Sequence, residues 1–138
     1  MSNLQRCFLL CCKVAWVAWA VAVIVGSLLP GPLLPAAPVS DKIEHFTAYF
    51  GLCVLPPLFL GSRRQILWSP VAMILLSISL EIAQTQIPGR TFDLYDIRAN
   101  MIGAGAGFVV GMAIEKVLGQ SRELPRLRHL TEYRLKEH

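Results

Sequence analysis

Residues 8–29 read FLLCCKVAWVAWAVAVIVGSLL, a run in which Lys13 is the only charged side chain. A helix rises about 1.5 Å per residue, so about 20 apolar residues are needed to cross about 30 Å of hydrocarbon. Three further apolar segments follow at about residues 43–60, 65–87 and 99–118. They lack the alternation typical of barrel strands, and lipid admits only helices or closed barrels. The sequence therefore predicts an all-α membrane protein in which four transmembrane helices form a compact bundle.

The composition also indicates a membrane-embedded chain. Of the 138 residues, 54% are hydrophobic and 16% are charged, whereas soluble domains carry about 25% charged residues. These values exclude a disordered chain, a collagen-like chain and a disulfide-stapled secreted module. We predict a transmembrane domain at residues 1–118, a short basic tail at 119–138, and no soluble domain. The net charge of +4 then concerns the two sides of a bilayer, and no nucleic-acid partner is expected.

The four cysteines lie in or beside the first two apolar segments. Cys7, Cys11, Cys12 and Cys53 lack the C-x-x-C spacing of zinc or redox sites. We expect them to be small apolar side chains in lipid, and palmitoylation of the first three is the alternative.

Arg6 before an apolar run resembles a signal peptide, but no A-x-A cleavage site follows, so we expect the first helix to be retained.

The basic residues predict the orientation. Three of them, Lys42, Arg90 and Arg98, lie on one side of the predicted bundle. The other side holds ten, which are Arg6, Lys13, Arg63, Arg64, Lys116, Arg122, Arg126, Arg128, Arg134 and Lys136. Because Lys and Arg are enriched in cytoplasmic loops, we expect both termini in the cytoplasm and the loops at 30–42 and 88–98 outside. Pro56-Pro57 removes two backbone donors and should kink the second helix.

Polar side chains gather at the predicted outer ends of the last three helices, at spacings that place them on one face of each helix. A charge at the bilayer centre costs at least about 2.5 kcal/mol, so polar stripes at one depth most simply converge in the bundle interior. The alternative is scattered interfacial groups whose side chains reach the headgroups. The candidate binding residues are Asp41, Lys42, His45, Tyr49, Glu81, Gln84, Arg90, Asp93, Asp96 and Asn100.

A stripe of small residues marks the last predicted helix. Gly103, Gly107 and Gly111 form a tandem G-x-x-x-G pattern, which allows two helix backbones to approach closely. We expect the partner helix to belong to the same chain, although the stripe also permits a homo-oligomer.

Several of these residues together resemble a known family. The pattern is Asp41-Lys42-x-x-His45-x-x-x-Tyr49, then Glu81-x-x-Gln84, then Arg90-x-x-Asp93-x-x-Asp96-x-x-x-Asn100-x-x-Gly103. It resembles the VanZ-like family of small bacterial membrane proteins over about residues 40–111. That family is named after an accessory protein linked to resistance against the lipoglycopeptide teicoplanin. The resemblance implies a multi-pass protein of the bacterial cytoplasmic (inner) membrane with a role in the cell envelope, where an accessory part in glycopeptide resistance is one option.

The function that we favour is a non-enzymatic one, in which the outer polar pocket binds the headgroup of a membrane lipid or another amphiphile. Lys42 and Arg90 would contact phosphate or carboxylate, and a cell-wall lipid intermediate or a lipoglycopeptide would be such a ligand. One alternative is a structural or assembly protein whose polar cluster only locks the helices. Another is a membrane enzyme acting on a lipid-linked cell-wall intermediate.

If the protein is an enzyme, His45 is the candidate base, oriented by Asp41 or Glu81. We expect no cofactor and no metal, although His45, Glu81 and Asp96 together contain the atoms to ligate one. In the tail, leucines at near-helical spacing alternate with basic residues. This pattern predicts a short interfacial helix that begins near Pro125, with a frayed end as the alternative.

Overall fold

The computed structural model describes residues 3–30, 33 and 40–136, with side chains up to residue 119. Within these ranges the chain forms helices joined by turns and contains no strand, which confirms the all-α class. The helices are α1 (Asn3–Leu28), α2 (Asp41–Val54), α3 (Pro56–Phe59), α4 (Arg63–Gln84) and α5 (Leu94–Lys136).

The second predicted span is broken into two helices. Pro56 and Pro57 have no backbone N–H and cannot continue the hydrogen bonding of α2, so α2 ends at Val54 and α3 begins at Pro56. With 14 residues, α2 extends about 21 Å, which is less than the hydrocarbon thickness. Among the described residues, three helices are long and apolar enough to span a membrane: Asn3–Leu28, Arg63–Gln84 and Leu94–Gly119. Three of the four predicted spans are thus supported by length and composition, and the fourth is broken into α2 and α3, so its crossing of a membrane stays a prediction.

Helices α2 and α5 pack at close range through the glycine stripe. An added Cβ at any of the three glycines would overlap a backbone carbonyl of α2, so only glycine permits this approach. The pairs are Gly103 with Phe46, Gly107 with Phe50, and Gly111 with Val54. In this structure the helix that lies on the glycine stripe is therefore α2 of the same chain.

Two tryptophans of α1 donate hydrogen bonds to backbone carbonyls of α2. The indole N–H of Trp16 donates to the Leu52 carbonyl at 2.8 Å, and that of Trp19 donates to the Ala48 carbonyl at 2.9 Å. In a regular helix the Leu52 carbonyl would accept from residue 56, which is a proline here. Trp16 thus supplies the donor that Pro56 lacks, and this matters because an unpaired backbone group in lipid costs several kcal/mol.

The last helix is longer at both ends than the predicted 99–118. It begins at Leu94 because the Asp93 carboxylate accepts the Tyr95 backbone N–H at 2.7 Å and caps the first turn. It also continues through Pro125 to Lys136 as one helix, so the separate helix predicted to begin near Pro125 is corrected. The tail side chains lie outside the described residues, and their placement on a membrane surface stays a prediction.

Candidate functional site

Lys42 lies at the centre of an acidic cluster where α2 begins and α5 begins. Its ammonium donates to Asp93 at 2.6 Å, to Asp41 at 3.2 Å, and to Asp96. The Lys42 ammonium beside Asp93, together with the Tyr95 N–H, holds the pKa of the Asp93 carboxyl below its usual range. The lysine that we expected to bind a ligand anion is therefore already paired with carboxylates of the protein.

His45 lies one turn further along α2, and its two ring nitrogens have different partners. Its Nδ1 is 3.1 Å from Asn100 Oδ1, while the Asn100 amide donates to Ser77 Oγ at 2.7 Å. An amide oxygen only accepts, so Nδ1 carries the hydrogen. The other nitrogen, Nε2, faces Asp41 at 3.7 Å and Asp96 at 3.6 Å. His45 thus links the acidic cluster around Lys42 to Asn100 in the interior of the helix bundle.

Behind the acidic cluster around Lys42, a second group of polar side chains is buried inside the protein. Glu81 is 2% exposed and Asn100 is 1% exposed, and the Glu81 carboxylate accepts the Asp93 backbone N–H at 3.3 Å. Tyr49, Ser77 and Gln84 are buried at the same end. Every buried side-chain polar atom of the described residues has a hydrogen-bond partner, as expected for polar groups removed from water.

Arg90 does not enter the cluster around Lys42. Its guanidinium donates to the carbonyls of Leu29 at 3.3 Å and Gly26 at 3.2 Å, at the end of α1, where helix carbonyls lack internal partners. The Gln84 amide donates to a third carbonyl there, that of Ser27, at 2.9 Å. Arg90 and Gln84 therefore fasten the end of α1 to the site.

Three side chains of the site lie close enough together to be considered as ligands of a metal ion. Single ligand atoms of Asp41, His45 and Asp96 lie within 4.8 Å of one another. Glu81, which the sequence suggested as a third ligand, is not in this set. Two of the three residues also accept hydrogen bonds from the Lys42 ammonium, so a cation of the protein already neutralises part of their charge.

A groove between α1 and α2 adjoins this site, and it has an apolar and a polar part. The apolar part has a volume of about 400 Å³ and is lined by Trp19, Ala22, Val23, Ile43, Glu44, Thr47 and Ala48. The polar part has a volume of about 180 Å³, and its lining adds Gly26, Ser27, Asp41, His45, Gln84 and Arg90. Ala22, Val23, Glu44 and Ala48 line both parts, so the two lie next to each other.

Most of the predicted site residues lie in one cluster in the structure, and residues that were not predicted line the adjoining groove. Hydrogen bonds and close charge contacts connect Lys42, His45, Asp93, Asp96 and Asn100 with Asp41 and Glu81. Arg90 lines the adjoining polar cavity with Asp41 and His45. The sequence reasoning did not assign Glu44 or any residue of α1 to the site. Glu44 carried a signal, because it lies one turn from Asp41, but α1 is almost uniformly apolar and shows no favoured face.

Similarity to known proteins extends over most of the chain. The VanZ/LLP1 family model matches residues 9–115, which includes most of α1 as well as the predicted 40–111. An uncharacterized protein of Schizosaccharomyces pombe is 32% identical over 114 residues, which cover 80% of this chain and 70% of that protein. No solved structure matches.

Proposed function

The chain belongs to the VanZ/LLP1 family, and from this membership and the groove we propose that it is a membrane protein that binds an amphiphile. The headgroup would lie in the polar cavity beside Arg90 and His45, and the hydrocarbon chain would lie along the apolar groove. The proposal is carried by the adjacency of the two cavities, which share four lining residues. A ligand site commonly combines apolar walls with a few placed polar groups.

The position of the groove suits a ligand that enters from lipid. It lies between α1 and α2, and α1 presents large apolar side chains to the outside, among them Val21 and Val25, which are 55% and 52% exposed. An acyl chain can therefore pass sideways from the bilayer into the groove without crossing a polar surface. Because ten of the thirteen Lys and Arg residues lie at the opposite end of the chain's predicted bundle, we propose that the polar cavity lies in the outer leaflet of a cytoplasmic membrane.

The rest of the polar cluster would support this site by holding helices in place. The hydrogen bonds around Lys42 and His45 join α2 to α5, and Arg90 and Gln84 join the loop and α4 to α1. These contacts hold each wall of the groove against the rest of the bundle, and the hydrogen bonds of Trp16 and Trp19 join the two walls directly. Preorganised walls lower the entropic cost of binding.

Lipid retention by the purified full-length protein tests the proposal. The protein in dodecyl maltoside is incubated with an equimolar mixture of palmitoyl-oleoyl phosphatidylethanolamine, phosphatidylglycerol and phosphatidylcholine, and bound lipid is counted by native mass spectrometry. We expect one lipid per wild-type chain to survive detergent exchange. Ala22→Phe, which fills the junction of the two cavities, should abolish this retention.

Val17→Phe is the matched control, because Val17 lies on another side of α1 and is 53% exposed. It should retain lipid as the wild type does. If the wild type retains no lipid, or if both variants retain it equally, the amphiphile site does not exist. The cluster would then serve only to lock the helices, as in the structural alternative.

A further inference from the structure

The polar cavity presents charges of both signs to a ligand. Arg90 lies in its wall, is half-buried, and forms no ion pair with any described carboxylate. Glu44 lies in the wall as well, is exposed, and forms no ion pair within the same ranges. Asp41 completes the lining with a carboxylate that is 57% exposed and that also accepts a hydrogen bond from Lys42. The lining thus offers one cation and two anions.

We propose that the ligand is a zwitterionic phospholipid with a primary ammonium, whose phosphate binds Arg90 and whose ammonium binds Glu44 and Asp41. This inference rests on the proposed amphiphile site and specifies its headgroup. A guanidinium binds phosphate through parallel N–H donors. A primary ammonium has three donors for carboxylate oxygens, which a quaternary ammonium lacks.

The geometry of Arg90 suits this role. Two of its N–H groups are used on the carbonyls of Gly26 and Leu29, which fixes the plane of the guanidinium at the end of α1. A guanidinium has five N–H groups in all, so the others remain for a phosphate. Arg90 is therefore held in position before the ligand arrives.

The size of the cavity favours a compact headgroup. Its volume of about 180 Å³ is below the range of about 300–1,000 Å³ that is usual for sites of drug-sized ligands. A phosphoethanolamine group is much smaller than such a ligand. The excess of carboxylates in the lining also disfavours a lipid whose headgroup is only anionic, because like charges repel at short range.

Competition between headgroups tests the proposal on the full-length protein in dodecyl maltoside. With the same three-lipid mixture, we expect phosphatidylethanolamine to be bound about tenfold more than phosphatidylglycerol or phosphatidylcholine, a difference of about 1.4 kcal/mol. Glu44→Lys should invert the preference in favour of phosphatidylglycerol. Arg90→Gln should reduce binding of all three lipids, whereas Arg98→Gln should change nothing, because Arg98 lies over the Tyr95 ring outside the cavity.

The outcomes separate this inference from the function on which it rests. If lipid is retained and lost in Ala22→Phe, but the three headgroups bind equally, the headgroup assignment is wrong and the amphiphile site stands. A wild-type preference for phosphatidylglycerol, or no effect of Glu44→Lys on the order of binding, would also overturn the assignment. If the wild type binds none of the lipids, both proposals fail.

Discussion

Replacing Gly107 by alanine should force α5 away from α2. The added Cβ would overlap the Phe50 carbonyl oxygen, a backbone atom that no side-chain rotation can move. An ordinary contact between such atoms needs about 3.5 Å, so the two helices must separate by roughly 1 Å at this level. Gly103 and Gly111 lie one turn away on each side and hold the helices at the original distance, so the strain cannot be relieved by a local shift alone.

The expected cost follows from this overlap. Overpacking of a close-packed interior costs about 1–3 kcal/mol. For a chain of this length, each kcal/mol corresponds to about 3–4 °C in Tm, so we expect a fall of roughly 3–12 °C. Gly105 is the matched control, since a Cβ there would meet nothing within 4 Å. Gly105→Ala should leave Tm unchanged or raise it slightly, because alanine is the better helix former.

Thermal unfolding in dodecyl maltoside can be followed by a thiol-reactive dye. Cys53 is fully buried and should react only when the helices separate, whereas Cys7 and Cys11 are exposed and are replaced by serine beforehand. If Gly107→Ala unfolds at the same temperature as Gly105→Ala, the argument from close helix approach is refuted. Dissociation of an oligomer without any change in the unfolding of the monomer would refute it as well.

Three further predictions concern the polar site and the orientation. Asn100→Ala should lower the free energy of unfolding by about 1–3 kcal/mol for each buried group that it leaves unpaired. These groups are Ser77 Oγ and His45 Nδ1. The control Ile102→Ala, at a position 64% exposed, should barely change Tm. Because the pKa of Asp93 is lowered in the folded state, the unfolded state takes up a proton first as the solution is acidified. The stability that Asp93 contributes should therefore be complete above its ordinary pKa of about 4 and be lost as pH falls through the lowered value, and Asp93→Asn should remove this part of the acid dependence of Tm. Thr91→Cys in a cysteine-free chain should react with a membrane-impermeant maleimide in intact cells, and labelling only after the membrane is opened would contradict the predicted orientation.

The partners of the polar residues could not be predicted from their positions in the sequence. The predicted order of helices and loops placed Lys42 and Arg90 at the same end of the bundle, and both were expected to bind a ligand anion. In the structure Lys42 binds Asp93 and Asp96, and Arg90 binds carbonyls at the end of α1. The spacing shows on which face of its own helix a residue lies, but the partner depends on which helices meet. The contacts of Lys42 with the two aspartates join residues 51 and 54 positions apart.

The sequence by itself determined the helical class, the break at Pro56-Pro57, the polar anchors at one end and the close approach at the glycines. Each of these follows from a local property, such as an apolar run of sufficient length, a missing backbone donor or a missing side chain. The tertiary structure decided that α2, rather than a second chain, lies on the glycine stripe, and that α1 closes the groove with Trp19 and Ala22. The reason is that α1 is apolar on every side, so its hydrophobic pattern selects no face. Its orientation depends on a few directed hydrogen bonds from Trp16, Trp19, Gln84 and Arg90, which exist only once the helices have met.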